Sequence, residues 1–497
     1  MPYRALLLSL VALTATADQP SKLFPPADPV LAGRLPDFSF AGYRRGEAPI
    51  PSPAVTANVR DFGAKGDGTT DDTAAFRAAI DKTNAGAILI PAGRYLLTDV
   101  IDIRKPNLVL RGEGPDKTTL YFPKELEDVR PNPGKTTSGR PTSNYSWSGG
   151  FLWVRGSYAH KELAAVTAPA RRGQKSVTLS TVAGLQIGQT IDVEQSDEPT
   201  NTLADHLYAG QSDDTSKLLG KTKASLTTRI TAIDNTTITF DRALRFDVEL
   251  RWKPRVLTFA PTVTEVGIES LRFEFPRKPY MGHFTERGHN AISLTQVADC
   301  WVRDVTIDDC DSGIFARGRY CTLENVTIRS GRTPDRSLNC TGHHGIEFDD
   351  DDNLLTRFRL ETKFIHDLTV ARCAGNVTSN GSGVDLSLDH HKYAPYANLF
   401  TDIDAGAGTR LWMCGGGANL GRHCAADGTF WNIRAARPQS WPPKKFGPDR
   451  MNLVGVFSKD AAQLDPTGKW FEPIPPNALT PKNLHAAQLA DRLKARP

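Results

Sequence analysis

Apolar and polar residues alternate in two segments of the chain that lie 21 residues apart and match position by position. The first runs from Cys300 to Ile307 and the second from Cys321 to Ile328. In each segment the apolar residues recur with the two-residue period of a strand that buries one face. A repeat of about 20 residues is too short for a pair of helices and suits one coil of a parallel β-solenoid. The pattern therefore predicts strands stacked coil upon coil.

Related segments recur on both sides of this pair. Gly267 to Phe273 precedes it, and Phe364 to Val370, Asn398 to Ile403 and Thr429 to Ile433 follow it. Loops inserted between coils would make the repeat imperfect. We therefore expect coils through most of the second half of the chain.

A helix is predicted close to the start of the solenoid. A strand at Val59 leads into a Gly/Asp-rich turn, and Thr70 or Asp71 is expected to cap the helix that follows. Its apolar face is predicted to hold Ala74, Phe76, Ala78 and Ile80. Such a helix would cover the strand edges that the end of a solenoid leaves open.

The segment 59–114 resembles the first coils of pectate-lyase-like proteins, a superfamily of polysaccharide lyases, glycoside hydrolases and phage tailspikes. The resemblance is carried by Asp61 to Gly68, Asp-Phe-Gly-Ala-Lys-Gly-Asp-Gly, followed by Asp-Asp at 71–72. This motif is typical of the fold and not of one activity. The resemblance implies an all-β chain that forms a right-handed parallel β-helix over residues 57–435, with an N-terminal capping helix.

Three further segments have patterns of their own. Residues 160–255 hold β-runs around a long polar loop, which predicts a small antiparallel β-subdomain that either walls one side of a cleft or is only structural. Residues 18–56 are proline-rich and predict an extended arm. Residues 436–497 predict a tail that wraps back over the solenoid and ends in a short helix, 483–496.

Residues 1–17 have the basic residue, apolar run and small-residue cleavage site of a secretory signal, which predicts a secreted or periplasmic protein. No later stretch is apolar enough for a membrane helix, so no membrane is expected.

The net charge of +4, from 60 basic and 56 acidic residues, gives no case for nucleic acid. Cys300 and Cys321 share a repeat position and are expected to form either a disulfide or a stack of buried thiols. The oligomeric state stays open.

Outward-facing residues at one repeat position form a ladder up the face of a solenoid. This placement assumes that Ile346, Phe348, Val384, Leu386, Leu411 and Met413 point inward. One face then carries carboxylates, histidines, an arginine and a tryptophan, namely His343, Glu347, Asp349, Asp385, Ser387, Asp389, Arg410 and Trp412. A polysaccharide groove is expected on that face.

A second group of candidate residues follows Asp389 directly. His390, His391, Lys392 and Tyr393 can together supply a general base and a general acid. In the alternative reading, His390 is packed in the core and Lys392 is merely solvated.

Four consecutive carboxylates, Asp349, Asp350, Asp351 and Asp352, come directly after a predicted strand. Adjacent carboxylates repel each other unless a cation or water screens them. Calcium, which takes several oxygen ligands, is one candidate, and a solvated loop is the other.

His343 and His344 lie in Gly-His-His-Gly, which resembles the Gly-His-Gly of polygalacturonases, and the pair at 308–309 resembles their paired aspartates. Their Asn-Thr-Asp and Arg-Ile-Lys motifs are missing, as are the arginine signatures of the best-known pectate lyases. The family therefore leaves the reaction open.

We favour a polysaccharide lyase that cleaves an anionic, uronate-containing polymer. Its catalytic residues would come from His343, His344, His390, His391, Lys392, Tyr393 and Arg410, and its substrate-binding residues from Glu347, Asp385, Asp389 and Trp412. A glycoside hydrolase would instead pair Glu347 with Asp385 or Asp389. A noncatalytic binding solenoid would use Trp412 as a sugar platform.

Overall fold

Parallel strands stacked in register form the body of the protein, which a computed structural model describes for residues 18–26 and 28–495. The predicted secretory signal, 1–17, lies outside these residues. One sheet of seven parallel strands, called the front sheet below, carries the candidate site. Its strands, in chain order, are Ile101–Ile103, Leu152–Arg155, Asn290–Ala298, Ser312–Arg319, Gly342–Phe348, Phe364–Val370 and Leu388–His390.

A second ladder of parallel strands runs along another side of the solenoid. It comprises Val55–Asn58, Gly86–Ile90, Leu108–Gly112, Gly267–Glu274, Trp301–Asp308, Thr322–Arg329, Leu354–Thr356, Val377–Gly383, Leu399–Asp404, Thr429–Arg434, Asn452–Val456 and Trp470–Glu472. The longer strands bend at a residue with positive φ, such as Asp304 (55°) and Asn325 (52°). Asp and Asn tolerate this left-handed conformation better than most residues.

Beyond the bend, the second halves of these strands belong to a third ladder. Its remaining strands are Asp67–Asp71, Gly93–Leu96, Thr118–Tyr121 and Arg359–Leu360. The three ladders enclose an apolar interior that runs the length of the solenoid. The chain is therefore a parallel β-helix, as predicted.

The repeat that motivated this prediction is confirmed in its register. Trp301–Asp308 pairs with Thr322–Arg329, so that Val302 lies beside Leu323 and Ile307 beside Ile328. All seven cysteines fall within the described residues and are free thiols, Cys300 and Cys321 among them. Phe364–Val370, one of the related segments, is also a strand and pairs with Gly342–Phe348 in the front sheet.

The N-terminal helix, Thr73–Lys82, covers one end of the solenoid with Phe76 packed against Tyr95. Its N-cap is Asp72, one residue after the predicted positions, and the Asp71 carboxylate accepts hydrogen bonds from Thr73. Its buried apolar face is formed by Ala75, Phe76, Ala79 and Ile80, at helical spacing, so the predicted Ala74 and Ala78 are not on it. The other α-helices of the described residues are Leu126–Val129, Thr202–Leu207 and Leu484–Lys494.

The inserted segment forms the antiparallel β-subdomain that the sequence predicts, a sheet of six strands with its own apolar core. That core extends onto Ala394 and Tyr396 of the solenoid. The strands are Glu162–Ala165, Ser176–Thr178, Thr190–Ser196, Lys223–Asp234, Thr237–Phe240 and Arg255–Thr258.

The N-terminal arm and the C-terminal tail lie over the second ladder. Gly42 donates its backbone N–H to Asp352, and the ring of Tyr43 packs against Trp301. The tail returns so that Pro481 accepts a hydrogen bond from Trp431. Short strands complete the fold, namely Gln19–Pro20 beside Leu479–Thr480, Gln463–Leu464, and a hairpin of Pro133–Lys135 and Pro141–Ser143.

Within the described residues, no helix has the length and apolar character that a membrane crossing requires.

Candidate active site

A cleft of about 720 Å³ opens on the front sheet and is lined by histidines, arginines and aromatic residues. His343 and His344 come from one strand, and His366 comes from the next. His391 follows the last strand, Leu388–His390, and His283 belongs to a loop before Asn290–Ala298. The stacked strands therefore bring together residues that lie far apart in the chain.

Register explains why the imidazoles are adjacent. His344 pairs directly with His366 on the neighbouring strand, and their ring centroids are 4.9 Å apart. The rings of His366 and His391 are 4.8 Å apart, and those of His343 and His344 are 4.2 Å apart. Burial and the neighbouring imidazoles hold the pKa of His344 well below its ordinary value. At neutral pH His344 is therefore uncharged.

Asp389 lies beneath two of these histidines and is completely buried. Its Oδ2 is 2.7 Å from Nδ1 of His391 and 3.0 Å from Nδ1 of His366, and its Oδ1 accepts the N–H of Gly415. Burial raises the pKa of Asp389, but the two imidazoles and their hydrogen bonds outweigh it and hold the pKa well below its ordinary value. Asp389 is therefore a fixed negative charge.

This carboxylate affects its two histidines differently. Burial lowers the pKa of His391, but Asp389 more than offsets it, so the pKa lies above its ordinary value. For His366 burial is the larger effect and lowers the pKa to about 4. The difference has a structural cause, because His391 is partly open to the cleft and His366 is buried. Of the two, His391 is the one with the accessible ring.

Two arginines line the same cleft next to carboxylates. Arg317 is 2.8 Å from Glu347, and Nε of Arg372 donates to Asp349 over 2.9 Å. The guanidinium of Arg372 also lies 4.7 Å from the ring centre of Tyr393, within the range of a cation–π contact. About half of the Arg372 side chain is exposed, so it can contact a ligand in the cleft.

The walls of the cleft come from outside the front sheet. Trp147 and Phe284 pack edge to face on one side. On the other side, the glycine-rich segment 415–417 and Leu420 are held by the inserted subdomain, whose Tyr208 hydroxyl donates to the backbone of Arg422. The subdomain thus packs behind this wall, but none of the residues that line the cleft belongs to it, and its predicted role as one side of the cleft stays a prediction.

The structure places some predicted site residues in this cleft and others outside it. His343, His344, Glu347, His391 and Tyr393 line the cleft, and Asp389 lies directly beneath it. His390, Lys392, Asp385, Arg410 and Trp412 do not line it.

Several of these residues lie outside the cleft because the strands end at other residues than the sequence analysis assumes. Ser387 and Arg410 lie outside the strands, Arg410 in a bend, so alternation does not apply to them. Val384 and Met413, which were expected in the core, are exposed. Arg410 instead forms a buried ion pair with Asp367. Asp385 accepts two hydrogen bonds from Thr409.

The predicted positions of Trp412 and Lys392 in the cleft are also wrong. The indole of Trp412 is partly buried, packs edge to face against Phe430 and Phe446, and does not line the cleft. Lys392 is partly exposed behind Gly416, where a Cβ on that glycine would lie 2.9 Å from the lysine Cγ. Its charge faces Asp213 and Asp214 of the inserted subdomain.

His390 is a core residue, as the alternative reading proposed. It is fully buried among Phe400, Phe430 and Phe446, and its Nδ1 lies 3.1 Å from the carbonyl of Leu388. Burial lowers its pKa to about 4. The residue is thus a neutral part of the packing and cannot contact substrate.

This environment predicts an acid-sensitive contribution to stability. An unfolded histidine has a pKa of about 6.5, so the unfolded chain binds a proton that His390 excludes between about pH 6.5 and 4. The stabilisation by neutral His390 is therefore complete above pH 6.5 and is lost as the pH falls, by up to about 3 kcal/mol. We expect the free energy of unfolding of His390→Leu, measured in urea at pH 7 and pH 5, to fall less with acid than that of the wild type. An equal or steeper fall would contradict this assignment.

The four consecutive carboxylates do not converge on one point. Asp349 contacts Arg372, Asp350 contacts Arg319, and Asp351 accepts from Ser225. Asp352 lies between Arg242 and Arg245. These partners relieve the repulsion that calcium was invoked to explain, so calcium at this run stays a prediction without support from the geometry.

The sequence reasoning missed several residues of the cleft. Arg317 had a usable signal, because it alternates with the buried Ile314 and Ala316, whereas His366 has the same two-residue phase as the core residues Leu368 and Val370 and was hidden by it. His283 and Phe284 lie in an irregular loop, and Arg372 lies just beyond a strand end, where no periodicity marks them. No alternation of apolar and polar residues marks Trp147 either.

Stacked parallel strands that enclose an apolar core, with a polar cleft on one face, define a parallel β-helix protein. The comparisons with known families agree. Residues 56–131 match the model of the family described as rhamnogalacturonase A/epimerase, pectate lyase-like. The matched segment contains the motif that suggested this superfamily from the sequence.

Curated relatives match a similar small part of the chain. Alginate lyase 7 of Azotobacter vinelandii is 35% identical over 100 residues, which cover 18% of this chain and 12% of that protein. Mannuronan C5-epimerase AlgE3 of the same organism is also 35% identical over 100 residues, covering 18% of this chain and 5% of the relative. The chain thus spans only a small fraction of the length of these relatives.

Solved structures match over more of the chain but less closely. The tailspike protein gp49 from Pseudomonas phage LKA1 is 14% identical with a TM-score of 0.46, covering 80% of this chain and 64% of the tailspike chain. An exopolygalacturonase from Thermotoga maritima is 11% identical with a TM-score of 0.29, covering 82% of this chain and 70% of that enzyme.

Proposed function

We propose that the cleft binds a uronate-containing polysaccharide and cleaves it by β-elimination. This reaction needs a cation for the uronate carboxylate, a base for the proton at C5 and an acid for the leaving oxygen at C4. The observation that carries the proposal is the Asp389–His391 pair, set in one cleft with Tyr393 and Arg372. The group types that elimination requires are thus adjacent.

His391 is the base in this proposal. Because Nδ1 of His391 donates to Asp389, Nε2 is left as the acceptor, and Asp389 fixes the ring in that tautomer. The C5–H bond breaks, and the proton passes to Nε2. The electron pair forms the C4–C5 double bond as the C4–O bond breaks.

The other groups complete the reaction. Tyr393 donates its hydroxyl proton to the leaving oxygen and is later reprotonated from solvent. Arg372 and Arg317 bind the uronate carboxylate. They stabilise the negative charge that develops as the C5 proton leaves, which lowers the free-energy barrier to its removal. Trp147 and Phe284 offer apolar faces to the sugar rings.

The relatives fit a uronate substrate, since they are named as an alginate lyase and mannuronan C5-epimerases. That support comes from 100 matched residues. Proton abstraction at C5 is the step that a lyase of uronates shares with a C5-epimerase, and the Asp389–His391 pair suits both. Elimination is favoured here because Tyr393 provides an acid for the leaving oxygen.

A hydrolase is less well supported by the geometry. It needs one carboxylic acid with a raised pKa and a second carboxylate at a defined separation. The pKa of Asp389 is held well below its ordinary value, Glu347 is ion-paired with Arg317, and Asp385 does not line the cleft. A purely binding solenoid is also less well supported in this cleft, because Trp412, its predicted platform, does not line it.

The test is to incubate the purified protein with alginate, polygalacturonate and a neutral polysaccharide. New reducing ends that appear together with the ultraviolet absorbance of an unsaturated uronate, on the acidic polymers alone, are the expected result. Reducing ends without that absorbance would establish hydrolysis and overturn the proposal. Altered C5 configuration by proton NMR without new ends would replace elimination by epimerisation.

A further inference from the structure

Three histidines of the cleft converge on one point from separate parts of the chain. His283, His343 and His366 each have a ring nitrogen within 4.8 Å of a ring nitrogen of the other two. Their ring centroids are 4.6 Å apart for His283 and His343, 5.3 Å for His343 and His366, and 5.9 Å for His283 and His366. The proposed elimination uses none of these three side chains.

Carboxylates hold two of the three rings from behind. Nδ1 of His366 is 3.0 Å from Asp389, and Nδ1 of His343 is 3.5 Å from the buried carboxylate of Glu286. Glu286 also accepts a hydrogen bond from the Tyr280 hydroxyl. Carboxylates in this position fix the orientation of histidines that ligate metals and raise their basicity.

We infer that His283, His343 and His366 form a binding site for a divalent first-row transition ion, with Zn²⁺ as the representative. Three imidazoles and one open position are the protein contribution to many catalytic zinc sites. Imidazole ligands select zinc, copper or nickel over calcium, which prefers oxygen. The site is thus different in place and in chemistry from the acidic run at 349–352.

The geometry is within reach of coordination. Zn–N bonds of about 2.0–2.1 Å in a tetrahedron separate the nitrogens by about 3.3 Å, so the rings must approach by up to about 1.5 Å. His283 lies in a loop and is only partly buried, which leaves it room to move.

The ligand atoms of an alternative trio, His366, Asp389 and His391, also lie within 4.8 Å of one another. In that trio both Nδ1 atoms already contact Asp389 Oδ2, at 3.0 and 2.7 Å. Hydrogen bonds therefore account for its closeness. No such bond joins the rings of His283, His343 and His366 in the described structure, and a bound metal ion would account for the grouping of these three imidazoles.

The test measures metal binding alone and does not depend on the proposed function. The full-length protein is stripped with chelator and titrated with ZnCl₂ by calorimetry and with CoCl₂ by visible absorption. We expect one equivalent to bind, with a Co²⁺ spectrum typical of tetrahedral coordination. Absence of saturable binding by the folded wild type would overturn the inference.

Variants distinguish the three ligands from their surroundings. His283→Ala removes a ligand from a loop and should weaken Zn²⁺ binding by at least about 100-fold, whereas Glu286→Gln should weaken it by about 10–100-fold. His391→Gln is the matched control and should change the affinity by less than about 3-fold. Thermal unfolding without metal checks that each variant is folded. Binding lost in His391→Gln but kept in His283→Ala would assign the metal to the other trio and overturn the inference.

Discussion

The His391→Gln variant is expected to eliminate polyuronate with a kcat about 10²–10⁴-fold lower than that of the wild type, the usual contribution of a general base. Glutamine keeps a similar size and polarity but cannot accept the C5 proton. The substitution should lower kcat and change KM little, because Arg317 and Arg372 still bind the substrate carboxylate. Initial rates from the absorbance of the unsaturated product measure it.

The adjacent Lys392 provides the matched control. Its side chain does not line the cleft, so Lys392→Gln should change kcat by less than about 3-fold. Circular dichroism and thermal unfolding show whether both variants are folded. Equal losses in the two variants, or more than a tenth of wild-type activity in His391→Gln, would remove His391 from the base role.

The Asp389→Asn variant extends this prediction to pH. His391 acts as a base only when deprotonated, and Asp389 holds its pKa above the ordinary value. In the wild type the rate therefore falls as the pH drops through that raised pKa. Removing the negative charge lowers the pKa of His391, so the acid limb of the pH–rate profile should move to lower pH. The plateau should also fall, because Asn no longer holds the productive tautomer.

The fold was predictable because its signal is local and repeated. Cys300 to Ile307 and Cys321 to Ile328 show the same alternation, and one motif at 61–68 identifies the start of the solenoid. In a repeat architecture each coil contacts mainly its neighbours, so a correct local pattern extends to the whole body. The inserted subdomain was recognised for the opposite reason, because its pattern breaks the repeat.

The site was only half predictable because alternation ends where a strand ends. Glu347 was placed correctly since Gly342–Phe348 is a strand with Ile346 and Phe348 in the core. Arg410 was placed wrongly because it lies in a bend outside the strands. A shift of one residue exchanges the two faces of a strand, so strand limits decide which residues reach the cleft. Loop residues such as His283 carry no periodicity at all.

The second large effect is expected at Asp352, which ties the inserted subdomain to the solenoid. Its carboxylate is 2.9 Å from Arg242 and also contacts Arg245, and all three side chains are almost completely buried. Asp352→Asn removes the charge but keeps the size, so two guanidiniums stay buried without compensation. Breaking a buried pair in this way costs about 3–5 kcal/mol. We expect a loss of that size in the free energy of unfolding measured in urea at pH 7.

An exposed ion pair offers the control for this prediction. Arg171 lies 3.2 Å from Asp247, with two thirds of its side chain in solvent, so Arg171→Ala should leave the free energy of unfolding close to that of the wild type. The contrast follows from hydration, since water replaces the lost partner at Arg171 but cannot reach Arg242 or Arg245. Because both arginines belong to the inserted segment, its attachment to the coils beneath the cleft depends on this charge. A loss below about 1 kcal/mol in Asp352→Asn would mean that the two guanidiniums find other partners or water.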